Sequence, residues 1–158
     1  MCSRFIHSSI HLIFISYIGW IQTKAVQKLV LVVSSLESLV VLERWQFDIQ
    51  LEPLDDSSSS RKENSQPIHN SSSISLIQKE IQMVMRQITA SVSFLPVLQE
   101  NCSFELLVYT DRHRVAANVP ADLWVDSDPK LVINSETVKL KSFSTSLHQV
   151  DSFVSYKK

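Results

Sequence analysis

Glycine is almost missing from this chain: Gly19 is the single one among 158 residues. Loops that cradle phosphate, and the turns of dinucleotide-binding units, need glycine for tight geometry and close backbone approach. Nucleotide chemistry of that kind is therefore excluded. Cysteine is scarce as well, with Cys2 and Cys102 far apart and no C-x-x-C pair. That spacing suggests neither a disulfide framework nor a zinc site, and the chain reads as belonging to a reducing compartment. Cys102 lies in an apolar run and is expected to be a small buried hydrophobe. Neither sign of charge dominates, since 15 basic residues meet 16 acidic ones. The electrostatic footprint of a nucleic-acid binder is thus lacking. His7, His11, His69, His113 and His148 are scattered without metal-ligand spacing. His148, in a late strand, reads as structural. No metal and no cofactor are expected.

The strongest pattern present runs from Ser75 to Pro96. Its apolar residues fall at Ile77, Ile81, Val84, Met85, Ile88, Val92 and Leu95, the spacing that aligns one face of an α-helix. Ser75 and Gln78 have capping-box spacing, and Pro96 cannot continue a helix. Met83, Arg86, Gln87, Ala90 and Phe94 fall on a second face. Aromatics, Met and Arg are enriched at protein interfaces, so this face reads either as a partner surface or as one covered by a second layer of the same domain.

Around this helix the chain reads as strands. Lys28 to Ser35 is a β-branched and leucine run, the mark of a buried strand. Leu36 to Leu39 makes a turn. Val41 to Leu51 then alternates, with Glu43, Trp45, Phe47, Ile49 and Leu51 on a side expected to be buried and Leu42, Arg44, Gln46, Asp48 and Gln50 on a mostly polar one. Asp55 to Ser73 is serine-rich and polar and is expected to be a surface loop. Ser103 to Thr110 is another strand, with Phe104, Leu106 and Val108 on one side and Leu107 and Tyr109 on the other. Asp111 to Asp128 reads as irregular. Leu131 to Ile133 and Thr137 to Leu140 flank Asn134-Ser135-Glu136 and are expected to form a hairpin. Lys141 to Tyr156 continues the β pattern. The class is α+β with a mostly antiparallel sheet and one long central helix packed on it.

Phe5 to Ile21 is largely apolar and holds no Asp, Glu, Lys or Arg, although His7, His11 and serines interrupt it, and Arg4 precedes it. It reads as a core helix, a targeting or anchoring segment, or a stretch foreign to the natural chain.

VQKLVLVV at Val26–Val33, VLERWQFDI at Val41–Ile49, MRQITASVSFLP at Met85–Pro96, CSFELLVYTD at Cys102–Asp111 and INSETVKLKSFSTSLHQVDSFVSYK at Ile133–Lys157 resemble, in order, the HORMA domain family. Its mitotic-checkpoint (mitotic arrest deficient) branch is the nearest in pattern. The resemblance covers 20–158 as a partial HORMA domain and leaves 1–19 unmatched, so that the family's N-terminal helices look missing. That mismatch favours a foreign stretch as the reading of the apolar N-terminal run.

The resemblance implies a binding protein rather than an enzyme. Residues 110–158 would be a mobile C-terminal β "safety belt", a conformational switch that closes over a partner peptide. Leu106, Leu107, Val108 and Tyr109 would line the receiving strand, and Trp124 would help to latch the belt. Arg86, Gln87 and Phe94 would form a dimer surface where open and closed copies meet. Ser152 would be a phosphorylation site. The implied role is the spindle assembly checkpoint of mitosis, in nucleus, kinetochore and cytoplasm. The implied partners are a Mad-series coiled-coil kinetochore protein and the anaphase-promoting complex activator, with no direct nucleic acid and no membrane. The alternatives are a HORMA adaptor of translesion synthesis or of the meiotic axis, and a truncated, non-functional or membrane-tethered fragment.

Overall fold

A computed structural model describes residues 2–5, 24–51, 70–111, 124–145 and 148–158. Its strands are β1 (Cys2–Phe5), β2 (Val26–Ser35), β3 (Val41–Leu51), β4 (Cys102–Thr110), β5 (Trp124–Asp126), β6 (Ser135–Lys139), β7 (Phe143–Ser144) and β8 (His148–Lys157). Among the described residues there is one α-helix, α1 (Asn70–Ala90), which ends in a 3-10 turn at Ser91–Ser93. The described strands form one antiparallel sheet in the order β5-β1-β4-β2-β3-β8-β6, and β7 also pairs with β8.

The centre of the sheet follows from the β-branched run of β2. Val30 pairs with Leu107 on one side and Gln46 on the other; Val32 pairs with Glu105 and Arg44. Directly opposed residues share a face, so Val30, Val32 and Leu107 cluster there, fully buried. Each such aliphatic side chain contributes roughly 1.5–3 kcal/mol when removed from water. The polar side of β3 belongs to this same face and is not left in water. Arg44 is buried and donates to Gln46, whose amide donates to Asp48 at 2.8 Å. Lys28 reaches Asp48 at 3.4 Å. A hydrogen-bonded chain therefore lets the side expected to be polar lie half-covered.

The turn after β2 is built without glycine. Ser35 is buried, and its hydroxyl accepts from the amides of Glu37 and Ser38 at 3.2 and 3.1 Å while donating to the Glu100 carboxylate. Leu39 closes the turn at φ 57°. Lys24, Lys130 and Asn134 also adopt positive φ, positions where glycine has the least steric cost.

The helix differs from expectation in start and phase. It begins at Asn70, inside the polar break; Asn and Ser are well tolerated at a helix start. Val84 is buried and Ile77 and Ile88 are half-buried, but Ile81, Met85 and Val92 are exposed. The inward arc instead includes Glu80, Gln87 and Ser91. At ~100° per residue it is rotated roughly 60° from the apolar stripe. The helix lies over the face that carries Glu43, Trp45, Val154 and Tyr156. Ile88, Ser91 and Leu95 line a groove with Glu43 and Trp45, and the Phe94 ring stands 6.1 Å from that of Tyr156.

The expected hairpin does not form. Leu131–Ile133 is not a strand, and β6 pairs with β8 from Ser135–Lys157 to Lys139–Phe153. The left-handed residues Lys130 and Asn134 bend the chain on both sides of this segment, and Val132 between them is buried. Cys102 is half-buried rather than buried, its thiol donating to the Glu100 carbonyl at 3.2 Å. His148 opens β8, and its carbonyl accepts from the Thr145 amide at 2.7 Å. The apolar 6–23 stretch and most of the serine-rich loop lie outside the described residues. No described helix is long and apolar enough to cross a membrane.

Candidate functional site

The chemistry-bearing feature is a border of the sheet. Without β1 and β5, β4 would end the sheet with a row of unpaired N–H and C=O groups. Instead β1 adds to it antiparallel, with Cys2 opposite Tyr109, Ser3 opposite Val108 and Arg4 opposite Leu107. On the far side of β1 lies β5, with Ser3 opposite Asp126, Arg4 opposite Val125 and Phe5 opposite Trp124. A four-residue strand is thus held between two others. Leu107 and Val108, fully buried, make β4 a rigid floor, and Leu106 and Tyr109 are half-buried. The Lys28 ammonium lies 5.4 Å from the Tyr109 ring centre, a cation–π arrangement. After β5 the chain is tied back to β4 by Lys130, 3.6 Å from Glu105.

Strands β6, β7 and β8 lie on the opposite border. There β8 pairs with β3 from Glu43–Tyr156 to Leu51–His148. Leu140 and Val154 are buried at this end, and the Leu140 amide donates to the Ser152 carbonyl at 2.8 Å. Asp151 accepts from the Ser142 hydroxyl at 2.8 Å and meets Lys139 at 3.2 Å. The Ser142 hydrogen bond, then the Lys139 charge, hold its carboxyl below the usual carboxylate range against the opposing effect of burial.

Two helix side chains fasten this segment. Glu80 accepts from the Ser144 amide at 3.0 Å and Gln87 from the Lys141 amide at 2.5 Å. Seven residues apart, they lie on one side of α1. This explains the rotated helix phase: backbone N–H groups of the C-terminal segment need acceptors where they meet the helix. The i, i+7 spacing of Glu80 and Gln87 was the available signal, but a hydrophobic pattern alone ignores it.

The residues singled out by sequence are only partly brought together. Leu106, Leu107, Val108 and Tyr109 form one strand, and Trp124 is separated from it by β1. Arg86 is exposed, Phe94 is partly exposed against Tyr156, and Gln87 is turned toward Lys141. These three do not make one free patch: Gln87 is engaged within the chain. Ser152 is fully buried in β8. Sequence reasoning missed β1 and β5, which at four and three residues are too short to show a period.

A family model described as the HORMA domain matches residues 9–148. The chain belongs to the HORMA domain family. The match begins inside the 1–19 stretch that the sequence patterns left unassigned. Over 138 residues this HORMA chain is 48% identical to the Homo sapiens mitotic spindle assembly checkpoint protein MAD2A, a stretch that covers 87% of this chain and 62% of that relative. It therefore spans rather less than two thirds of that protein's length. A chain in the crystal structure of the mitotic checkpoint complex is similar with a TM-score of 0.73 and 38% identity, covering 97% of this chain and 77% of that one. C. elegans HTP-2, solved bound to HTP-3 closure motif 1, has a TM-score of 0.60 at 10% identity, over 94% of this chain and 64% of that one. At that identity the likeness is one of fold alone.

Proposed function

We propose that this HORMA chain is a spindle assembly checkpoint adaptor that captures a partner peptide as an added strand on β4. Residues 110–158 act as the safety belt, with β5 closing over the captured strand and β6 to β8 anchoring on the β3 border. The observation that carries this reading is the ribbon β4-β1-β5: the border of β4 takes up an extended segment and the belt covers it. Affinity comes from main-chain hydrogen bonds on both sides of the peptide, and specificity from the side chains that alternate along it. Release requires the belt to open, so dissociation is slow. The two arrangements of the belt need to differ by only a few kcal/mol for a partner to choose between them.

The partners that fit are those of checkpoint signalling: a Mad-series coiled-coil protein of the kinetochore, and the activator of the anaphase-promoting complex, whose capture delays chromosome separation. The similarity to MAD2A and to a chain of the mitotic checkpoint complex supports this. The role is one of binding, in nucleus, kinetochore and cytoplasm, with no catalytic step. Arg86 and Phe94 contribute to self-association, and Ser152 is a regulatory phosphorylation site that becomes accessible when β8 leaves β3. The test is capture of synthetic closure peptides. Peptides from checkpoint partners should bind saturably and leave slowly. Capture of translesion or meiotic closure peptides in their place would overturn the assignment.

A further inference from the structure

The slot between β4 and β5 already holds a strand, and that strand is the chain's own. We propose that Cys2–Phe5 is a ligand in cis for the peptide-capture site, competing with any peptide offered in trans. The inference rests on the capture reading above and adds the identity of the resident occupant.

Three observations carry it. First, β1 is antiparallel to both neighbours, in register over Cys2–Tyr109 to Arg4–Leu107 on one side and Ser3–Asp126 to Phe5–Trp124 on the other. Both of its edges are therefore paired, as those of a captured peptide would be. Second, its register partners Leu107, Val108 and Tyr109 are the same residues that the capture reading assigns to the receiving strand. An incoming peptide cannot pair with them until β1 leaves. Third, β1 is tethered. Residues 6–25 join it to β2, which flanks β4 on its other side and runs parallel to β1. A tethered strand competes at an effective concentration on the order of millimolar. A strand of four residues makes few contacts, so this occupant is displaceable. If it leaves the slot free about a tenth of the time, it weakens capture in trans about tenfold.

The test has two arms, both on the full chain. Cys2 is the register partner of Tyr109, and opposed Cα atoms of antiparallel strands lie about 4.5–5.5 Å apart, within reach of a disulfide. In the Cys102→Ser, Tyr109→Cys variant, mild oxidation should give an intramolecular Cys2 to position 109 disulfide. The Cys102→Ser, Ser103→Cys control, at the other end of β4, should give none. A disulfide between two copies, or no disulfide in a chain that circular dichroism finds folded, would overturn the proposal. In the second arm, Ser3→Pro with Arg4→Pro removes the N–H groups that β1 needs for its ladder. This variant should bind a fluorescent peptide of residues 1–8 (MCSRFIHS) in trans, under reducing conditions, about tenfold more tightly than the unaltered chain. It should gain similarly for a checkpoint closure peptide. Equal binding by both forms overturns occupancy in cis while leaving capture intact. Failure of the folded double-proline variant to take up either peptide overturns the capture reading itself.

Discussion

Asp48 on β3 and Asp151 on β8 stand directly opposite each other across the junction that fastens the C-terminal strand to the sheet. Like charges so placed repel, and each is countered separately: Asp48 by Lys28 at 3.4 Å, Asp151 by Lys139 at 3.2 Å and by the Ser142 hydroxyl at 2.8 Å. The junction is thus tied to the segment that precedes it.

A pH dependence arises from Asp151. Its carboxyl is held below the usual range, first by the Ser142 hydrogen bond and then by Lys139. The unfolded chain, with an ordinary aspartate pKa of about 3.9, takes up this proton before the folded chain does. The stabilisation is therefore complete above that value and is lost as pH falls through the depressed one. Melting temperature should decline in this acid window, and Asp151→Asn should show a shallower decline than the unaltered chain.

Ser152 gives a paired test. It is fully buried, and its hydroxyl has no hydrogen-bond partner among the described residues. Ser152→Ala should be neutral or slightly stabilising, since it removes an unsatisfied polar atom. Ser152→Asp places a charge where its desolvation costs several kcal/mol. Hydrogen exchange should find β8 nearly unchanged in the first variant and released from β3 in the second.

The proposed division of α1 into a belt-holding side and a self-association side is open to test. Glu80→Ala with Gln87→Ala removes the acceptors for Ser144 and Lys141, at about 1 kcal/mol for each bond. Limited proteolysis should then cut faster near residues 141–144. Arg86→Glu, on the exposed side, should weaken self-association in sedimentation while leaving closure-peptide binding within about twofold. Equal loss of both would contradict this division of surfaces.

Leu39 is 79% exposed at φ 57°, so it carries left-handed strain with little packing to lose. Leu39→Gly should raise stability by roughly 0.5–1 kcal/mol, the relieved strain less the added entropy of glycine. Chemical denaturation measures it directly.

Strong periods made the central elements legible. The runs around Val30, Trp45 and Leu107 are long enough for β-branched and alternating patterns to identify β2, β3 and β4, and the repeat around Val84 identifies α1. The β8 strand was legible within the Lys141–Tyr156 pattern. The phase of the helix was not, because Glu80 and Gln87 turn inward to meet backbone amides of distant residues. The pairing of β6 was hidden by Lys130 and Asn134, whose left-handed backbone carries no glycine signal. At the candidate site, the β4 strand that carries Leu107 and Val108 was readable from its alternation. Its occupant was not, since four residues at Cys2–Phe5 have no period and pair with residues a hundred positions away.

The seat of a partner peptide decides between capture on β4 and docking elsewhere. Isotope-filtered nuclear Overhauser contacts, recorded on the full chain with a labelled checkpoint closure peptide, measure this most directly. Cross-strand contacts from the peptide backbone to Leu107, Val108 and Tyr109 on one side and to Val125 on the other are the expected result. Contacts confined to α1 or to the β8 border, with β4 unchanged, would contradict it.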